Sequence, residues 1–347
     1  MELSDRKLKI LSEVVNNYIQ CAEPVSSKIL CDLLDFSVSS ATIRNELAEL
    51  TELGFLEQPH TSAGRIPSYL GYRLYINKLM GKSHLSRKNK DYIDSALKLS
   101  IHDPELLLKN AAHLLANITN FAVISTTLST KKNYIKNVKL VQIGKFTAII
   151  IVTTSSGVIK NRLFRCEFPL TADVLNKFNN VLNEKFTDVL LSEITPAFIQ
   201  TVAVSLGEMA FLMSDVLNAV FEVSKLASKP DFHFDGQTNL LLIPEFNQQS
   251  AIKLMNFFAD SDDKDDISDL FFSFGNAKTK VFIGKENPHE ELAQSSIIVT
   301  KYVVNVENYG SLGIVGPTRM NYANLIANLE FTASLLGDIL NGILNLE

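Results

Sequence analysis

The sequence predicts an α+β multidomain protein headed by a winged helix-turn-helix, and three observations predict it. In Val38–Tyr75, VSSATIRNELAELTELGFLEQPHTSAGRIPSYLGYRLY, an apolar stripe of helical period runs straight into a glycine-turned β-ribbon. Two blocks of β-branched residues lie far apart in the chain, one between Val138 and Arg165 and one between Lys280 and Val315. Long stripes of helical period precede the first block and follow the second.

From the N-terminal end, Arg6 to Ile19 reads as an amphipathic helix with Leu8, Leu11, Val14, Val15, Tyr18 and Ile19 inward, broken at Glu23-Pro24. Val25-Ser26-Ser27-Lys28 starts a second helix: a serine caps it, while Ser27 and Lys28 are placed to position a DNA backbone. A turn around Asp35–Val38 leads to the third helix, capped by Ser39 or Ser40, with Ile43, Leu47 and Leu50 forming its core stripe and Gly54 ending it. At 100° per residue the opposite face carries Ala41, Arg44, Asn45 and Ala48. Small side chains there permit close approach, Arg suits guanine and Asn suits adenine, so Arg44 and Asn45 are the candidate base readers. Ser39, Ser40 and Thr42 lie at the positive helix end, which favours phosphate. The ribbon strands are Phe55–Pro59 and Arg65–Pro67, and the tip between them offers His60, Thr61 and Ser62, with Arg65 placed to enter a groove or contact phosphate.

Over residues 81–90, Lys82, Arg87, Lys88 and Lys90 occur without an acidic residue, in a linker that either touches flanking phosphates or is simply solvated. Asp103-Pro104 starts a helix with Leu107, Ala111, Leu114, Leu115 and Ile118 inward. Val138–Ile143, Phe146–Thr153 and Val158–Arg165, separated by Gly144-Lys145 and Ser155-Ser156-Gly157, read as an antiparallel meander. Ala197 to Val223 reads as one helix rich in Val, Leu, Met and Phe, followed by FHFDGQTNLLLIPEF. Such segments bury either against a second subunit or in the chain's own core. Strands at Lys280–Ile283, Ile297–Val306 and Leu312–Val315 and a helix over Arg319–Leu344 complete the chain. The reading is one sheet domain made from both strand blocks, interrupted by a largely helical insertion over about 170–278.

Composition qualifies the DNA reading. The chain carries 33 basic against 38 acidic residues, and Arg6, Lys7, Lys9, Lys28, Arg44, Arg65, Arg73 and Lys78 are outnumbered by acids within the first 80 residues. There is no general basic field, so affinity must come from local placement. A hydrophobic content of 46% with 21 Phe provides ample core. No 18-residue apolar run and no export signal after Met1-Glu2-Leu3-Ser4-Asp5 are present, so a cytoplasmic protein without membrane partner is expected. Cys21, Cys31 and Cys166 lack CxxC spacing and read as free thiols.

Catalytic and cofactor motifs are absent. Gly310, Gly313 and Gly316 follow neither GxGxxG nor a P-loop and read as turns around a strand. Arg319 and Glu286-Asn287 read as packing and turn residues, and the six histidines form neither HExxH nor part of a GxSxG arrangement. Asp260–Asp269 holds six Asp, without EF-hand order, and reads as a solvated loop. No enzyme, metal or cofactor is expected.

SSATIRNELAEL, GFLEQPHTSAGRIP and GYRLYI resemble the signature of the bacterial heat-inducible transcription repressor family, HrcA. VFIGKEN (Val281–Asn287), SSIIVTKY (Ser295–Tyr302) and GSLGIVGPTRMNY (Gly310–Tyr322) resemble its later blocks in the same order, whereas the middle from about 169 to 280 supplies little. Ser26 departs from the family, which tends to have glycine there. The resemblance implies a winged helix over 1–80, a basic linker over 81–102, a GAF-like domain from 103–169 and 279–347, and an inserted dimerising domain over 170–278. It also implies a homodimer on double-stranded DNA at the CIRCE inverted repeat of chaperone operons. A chaperonin partner would keep the repressor active and be diverted by heat. The alternative from another class is a metabolite-responsive winged-helix repressor with its ligand in the GAF-like domain.

Overall fold

A computed structural model describes residues 3–35, 38–129, 132–259, 264–304 and 308–344. The chain forms two compact units, the first from Met1–Ser125, His233–Lys301 and Ser311–Leu336, the second from Thr126–Phe232, Tyr302–Gly310 and Gly337–Glu347.

The first unit opens with α1 (Asp5–Cys21), α2 (Ser27–Leu33) and α3 (Ser40–Glu52). Ser4, Ser26 and Ser39 cap these helices, each hydroxyl accepting from the backbone N–H three residues on. Ile10, Leu11, Val14, Val15, Leu30, Ile43 and Leu50 are fully buried, so the expected stripes form one small core. Residues 36 and 37, in the expected turn, lie outside the described residues. Gly54 (φ +79°) turns the chain out of α3 into the antiparallel pair β1 (Leu56–Glu57) and β2 (Ile66–Pro67). The strands are shorter than expected, but Val25 and Arg65 exchange backbone hydrogen bonds of 2.8 and 2.9 Å, adding a third rung beside β2. Helix α4 (Tyr69–Leu74), capped by Ser68, continues into a π-helical turn at Tyr75–Leu79.

The stretch read as a basic linker contains α5 (Arg87–Lys98), capped by Ser86 and burying Ile93 and Leu97; α6 (Pro104–Thr119) follows with Asp103 as its cap. The first unit then uses β3 (Ala122–Thr126), a strand that sequence reasoning missed because five buried residues directly after a helix show no alternation.

Next come the meander strands β4 (Ile135–Gly144), β5 (Thr147–Thr154) and β6 (Ile159–Arg165), antiparallel in the order expected. Their place differs from the expected single sheet domain over 103–169 and 279–347. They form their own three-stranded sheet in the second unit, joined by α7 (Ala172–Phe186), α8 (Pro196–Leu206) and α9 (Met209–Ala227). The reason is the pairing of apolar faces: Val138, Leu140, Ile150 and Val152 share one buried cluster with Phe178, Leu182, Phe186, Val216 and Val220 of those helices. The single helix expected over Ala197–Val223 is broken at Gly207, whose φ of +58° is poorly tolerated by a side chain.

The edge of β4 is sealed by side chains of α7. Asn183 accepts from Val138 N–H (3.2 Å) and donates to Val138 C=O (2.8 Å), and Asn179 does the same at Leu140 (2.7 and 3.1 Å).

The remaining elements are β7 (Phe232–Asp235), α10 (Gln248–Ala259), α11 (Lys264–Phe272), β8 (Thr279–Ile283), β9 (Ser295–Val303), β10 (Tyr309–Pro317) and α12 (Tyr322–Leu344). They build a five-stranded sheet in the order β7-β3-β10-β9-β8. Of the aspartate run, 260–263 lie outside the described residues and the rest enters α11, in place of the expected loop. β9 and β10 are buried at almost every position, as befits central strands covered on both faces. The three glycines read as turns sit within β10, where each admits an aromatic ring: Tyr302 against Gly310, Phe271 against Gly313 and Phe121 against Gly316.

Candidate nucleic-acid interface

Helix α3 presents Ala41, Arg44 and Asn45 to solvent, on the side opposite Ile43, Leu47 and Leu50. The sequence placed the same face outward. Lys28 of α2 and His60, Thr61 and Ser62 of the ribbon tip are exposed as well. The groove between α3 and the ribbon encloses about 400 Å³ and is lined by Ser26, Ser27, Arg44, Thr61, Ser62 and Arg65, among others.

Several expected contacts are already committed within the protein. Ser27 is only 8% exposed, so it does not meet phosphate in this arrangement. Its hydroxyl lies 2.9 Å from Ser40 Oγ and accepts from Arg44 Nε at 3.3 Å, tying α2 to the first two turns of α3 and orienting the guanidinium. Ser39 is spent on its cap, its Oγ 3.1 Å from Thr42 N and 2.9 Å from Thr42 Oγ1. Arg65, half-buried on the groove wall, is tied to α3: its Nε donates to Thr51 Oγ1 at 2.9 Å, and Thr51 donates on to Leu47 C=O.

The geometry also rests on residues that sequence reasoning passed over. Gln58 Nε2 donates to Thr61 C=O (2.9 Å) and Ala63 C=O (3.1 Å), folding the tip over itself. Gly64 is required because a Cβ there would lie 2.5 Å from the Val25 backbone. Glu46, on the buried side of α3, accepts from Arg6 Nε at 2.7 Å and lies 3.7 Å from Lys7 Nζ, which also pairs with Glu49 at 2.6 Å. The hydrogen bond that Lys7 donates to Glu49, opposed by desolvation and aided by both carboxylates' charge, holds the Lys7 ammonium above its ordinary range. A glutamate beside a core stripe with basic residues early in the first helix was the available signal for this link.

Among the described residues, no group of three or more His, Cys, Asp or Glu could hold a metal. Burial pushes the Tyr302 and Tyr322 hydroxyls far above the ordinary tyrosine range and raises the Cys166 thiol, which leaves all three protonated at neutral pH. Arg319 is paired with Glu245, and Asn287 laces its turn by donating to Gly284, Leu292 and Ser295 carbonyls, as the sequence reading of packing and turn residues expects. Among the described residues, no helix is long and apolar enough to cross a membrane.

Comparison with known proteins matches the chain at every level. Residues 105–326 match the family described as HrcA protein C terminal domain. The chain is 35% identical over 337 residues to the heat-inducible transcription repressor HrcA of Acetivibrio thermocellus, covering 96% of this chain and 95% of that one. It is 34% identical to the protein of the same name from Thermoanaerobacter pseudethanolicus, over the full length of both. A crystal structure of a hypothetical protein at 2.2 Å resolution shares the fold, with a TM-score of 0.64 and 24% identity over 99% of this chain and all of that one. The family match and identity of this order over nearly the whole of both chains lead to one conclusion: the chain belongs to the heat-inducible transcription repressor HrcA family.

Proposed function

We propose that the N-terminal module is a winged helix-turn-helix with which the protein, as a homodimer, binds the CIRCE inverted repeat of chaperone operons and represses them. The observation that carries this reading is the exposed pair Arg44 and Asn45, one of them oriented by the buried Ser27. In it α3 enters the major groove, Arg44 and Asn45 meet base edges, and Ser40 and Thr42 approach bases or phosphates near the helix start. Lys28 contacts the backbone, and His60, Thr61 and Ser62 act from the wing. Ser27, Ser39 and Arg65 support this surface from within. Two-fold symmetry of the dimer matches the palindrome. The second unit supplies the dimer surface in this reading: Val204 and Phe211, on either side of the Gly207 corner, are 83% and 81% exposed. The five-stranded unit is the GAF-like body.

The direct test measures binding to a CIRCE-type inverted repeat and to a scrambled duplex at physiological salt, with the protein mass on DNA recorded. Strong preference with two chains per duplex supports the reading, and equal weak binding removes it. In the same assay Arg44→Ala costs about 1–3 kcal/mol of specific affinity and relaxes base preference at one position of each half-site. An unchanged operator preference takes Arg44 out of base readout.

Heat release follows from competition for a chaperonin that keeps the repressor folded. Exposed apolar side chains outside that dimer surface, such as Leu99 and Leu242, suit capture by such a partner. After dilution from denaturant, purified chaperonin should raise the fraction of operator-competent protein; no change in that fraction excludes the mechanism.

A further inference from the structure

Two separate chains of contacts run from α3 to the five-stranded sheet within the first unit. The first leaves the C-terminal end of α3. Ser68 Oγ donates to Gly54 C=O at 2.6 Å and accepts from Gly71 N at 3.1 Å, so α4 is fixed to the turn that ends α3. Two residues further along α4, Arg73 forks onto Glu286: Nε reaches Oε1 at 3.0 Å, and Nη2 contacts both Oε2 and the Val281 carbonyl of β8. Glu286 is itself held, its Oε2 accepting from Ile283 N at 3.1 Å. The second chain runs through α1, which grips Glu46 of α3 at one end with Arg6 and Lys7. At its other end the Ile19 carbonyl accepts from Arg319 Nη1 at 2.9 Å, while Arg319 Nε donates to Glu245 at 2.5 Å. The Tyr72 and Tyr322 rings are also in contact, with centroids 5.9 Å apart.

Both arginines are shielded, at 29% and 20% side-chain exposure, and each joins a carboxylate to a backbone carbonyl. A planar fork does this and a lysine does not. Neither belongs to the exposed face of α3, so neither reads bases in the geometry described above.

We propose that Arg73 and Arg319 are positioning residues that set which half-site spacing the repressor accepts. They lock the recognition helix to the sheet body at two points, so motion of that helix against the body does not add to the range of separations open to the two helices of a dimer. This rests on the reading of a homodimer on an inverted repeat. A stiff connection concentrates the second helix at one distance from the first, whereas a loose one spreads it over many. One base pair added between half-sites turns the second by about a tenth of a helical turn, and only a loosened protein follows it.

The test uses full-length wild type, Arg73→Ala, Arg73→Lys and Arg319→Ala on three kinds of DNA: a single half-site, the inverted repeat, and repeats with the spacer changed by one or two base pairs. The expected result is half-site affinity within about twofold of wild type, because the reading face is intact. The gain of the full repeat over the half-site falls about tenfold or more, and the preference among spacers flattens. Arg73→Lys does not restore it. Retention of the wild-type spacer preference overturns the proposal, and so does an equal loss on half-site and full repeat, which marks a role in folding alone.

Wild type that binds the repeat no better than a half-site rejects the dimer-operator reading instead. The lock is then decided without DNA, by pulsed electron paramagnetic resonance between labels at Thr61→Cys and Asn117→Cys in a Cys21→Ser, Cys31→Ser background. A distance distribution that broadens in Arg73→Ala supports the lock, and equal widths overturn it.

Discussion

Gly71→Ala is expected to cause the largest loss of stability in the N-terminal module and to remove operator binding with it. A Cβ at position 71 would lie 2.2 Å from the Phe55 carbonyl oxygen and 3.3 Å from its carbon. Ordinary carbon–oxygen contacts begin near ~3.3 Å, so one of the two segments must move by about 1 Å. Neither is free to move. Phe55 N donates to Leu50 C=O at 2.9 Å, and Phe55 C=O accepts from Ser68 N at 3.1 Å. On the other side Gly71 N is held by the Ser68 hydroxyl. Overpacking against pinned backbone costs about 3 kcal/mol or more. Helix propensity alone points the other way, favouring alanine by about 1 kcal/mol. The sign of the change in thermal unfolding therefore decides: stabilisation would show that the close approach does not constrain the module.

Phe186→Ala is expected to cost about 3–5 kcal/mol in the second unit. Phe186 is fully buried at the end of α7 and meets the Phe198 ring edge-on, with centroids 5.7 Å apart. Truncation removes that contact and leaves a cavity among Leu182, Val138 and their neighbours, which are buried completely. A second consequence follows from the position of α7. Its Asn179 and Asn183 pair with the outer backbone of β4, and a loosened α7 uncovers a strand edge open to other chains. The variant should therefore lose stability in denaturant and scatter light as its concentration rises. Phe186→Leu, which keeps most of the volume, should cost less than about 1.5 kcal/mol. A loss below about 1 kcal/mol for the alanine variant would contradict this account of the core.

The N-terminal module was legible because its signals are local. Serines before apolar stripes, Gly54 after α3 and the short ribbon each act over a few residues, and the 100° geometry of one helix is enough to place Arg44 and Asn45 outward. The same reasoning did not foresee the partners of Ser27 and Arg65. A side chain's partner across elements has no periodicity: Ser27 meets Ser40 and Arg44 from α3, and Arg65 meets Thr51 from the side of the ribbon. Glu46 illustrates the converse, an acid that looks solvated in sequence and is buried because α1 brings two cations to it.

The strands show where local reading ends. The antiparallel order of β4, β5 and β6 follows from β-branched runs separated by short turns, and in the structure Val138, Leu140, Ile150 and Val152 share one buried cluster. Which elements cover that face was decided by helices α7 to α9 packing on it, so the meander forms its own sheet rather than joining β9 and β10. Gly207 likewise looked like one residue of a long apolar helix until its left-handed backbone split the helix in two.

By itself the sequence determined that serines start α2 and α3, the outward face of α3, the meander and the family to which the chain belongs, all of which depend on spacing along one stretch of chain or on motif identity. Only the tertiary structure decided the sheet to which each strand belongs, the burial of Ser27, the tie from Arg65 to Thr51, and the two arginine links between α3 and the sheet. Those depend on contacts between residues as far apart as Ile19 and Arg319, and hydrophobic burial, being non-directional, leaves such pairings open until the apolar faces have found one another.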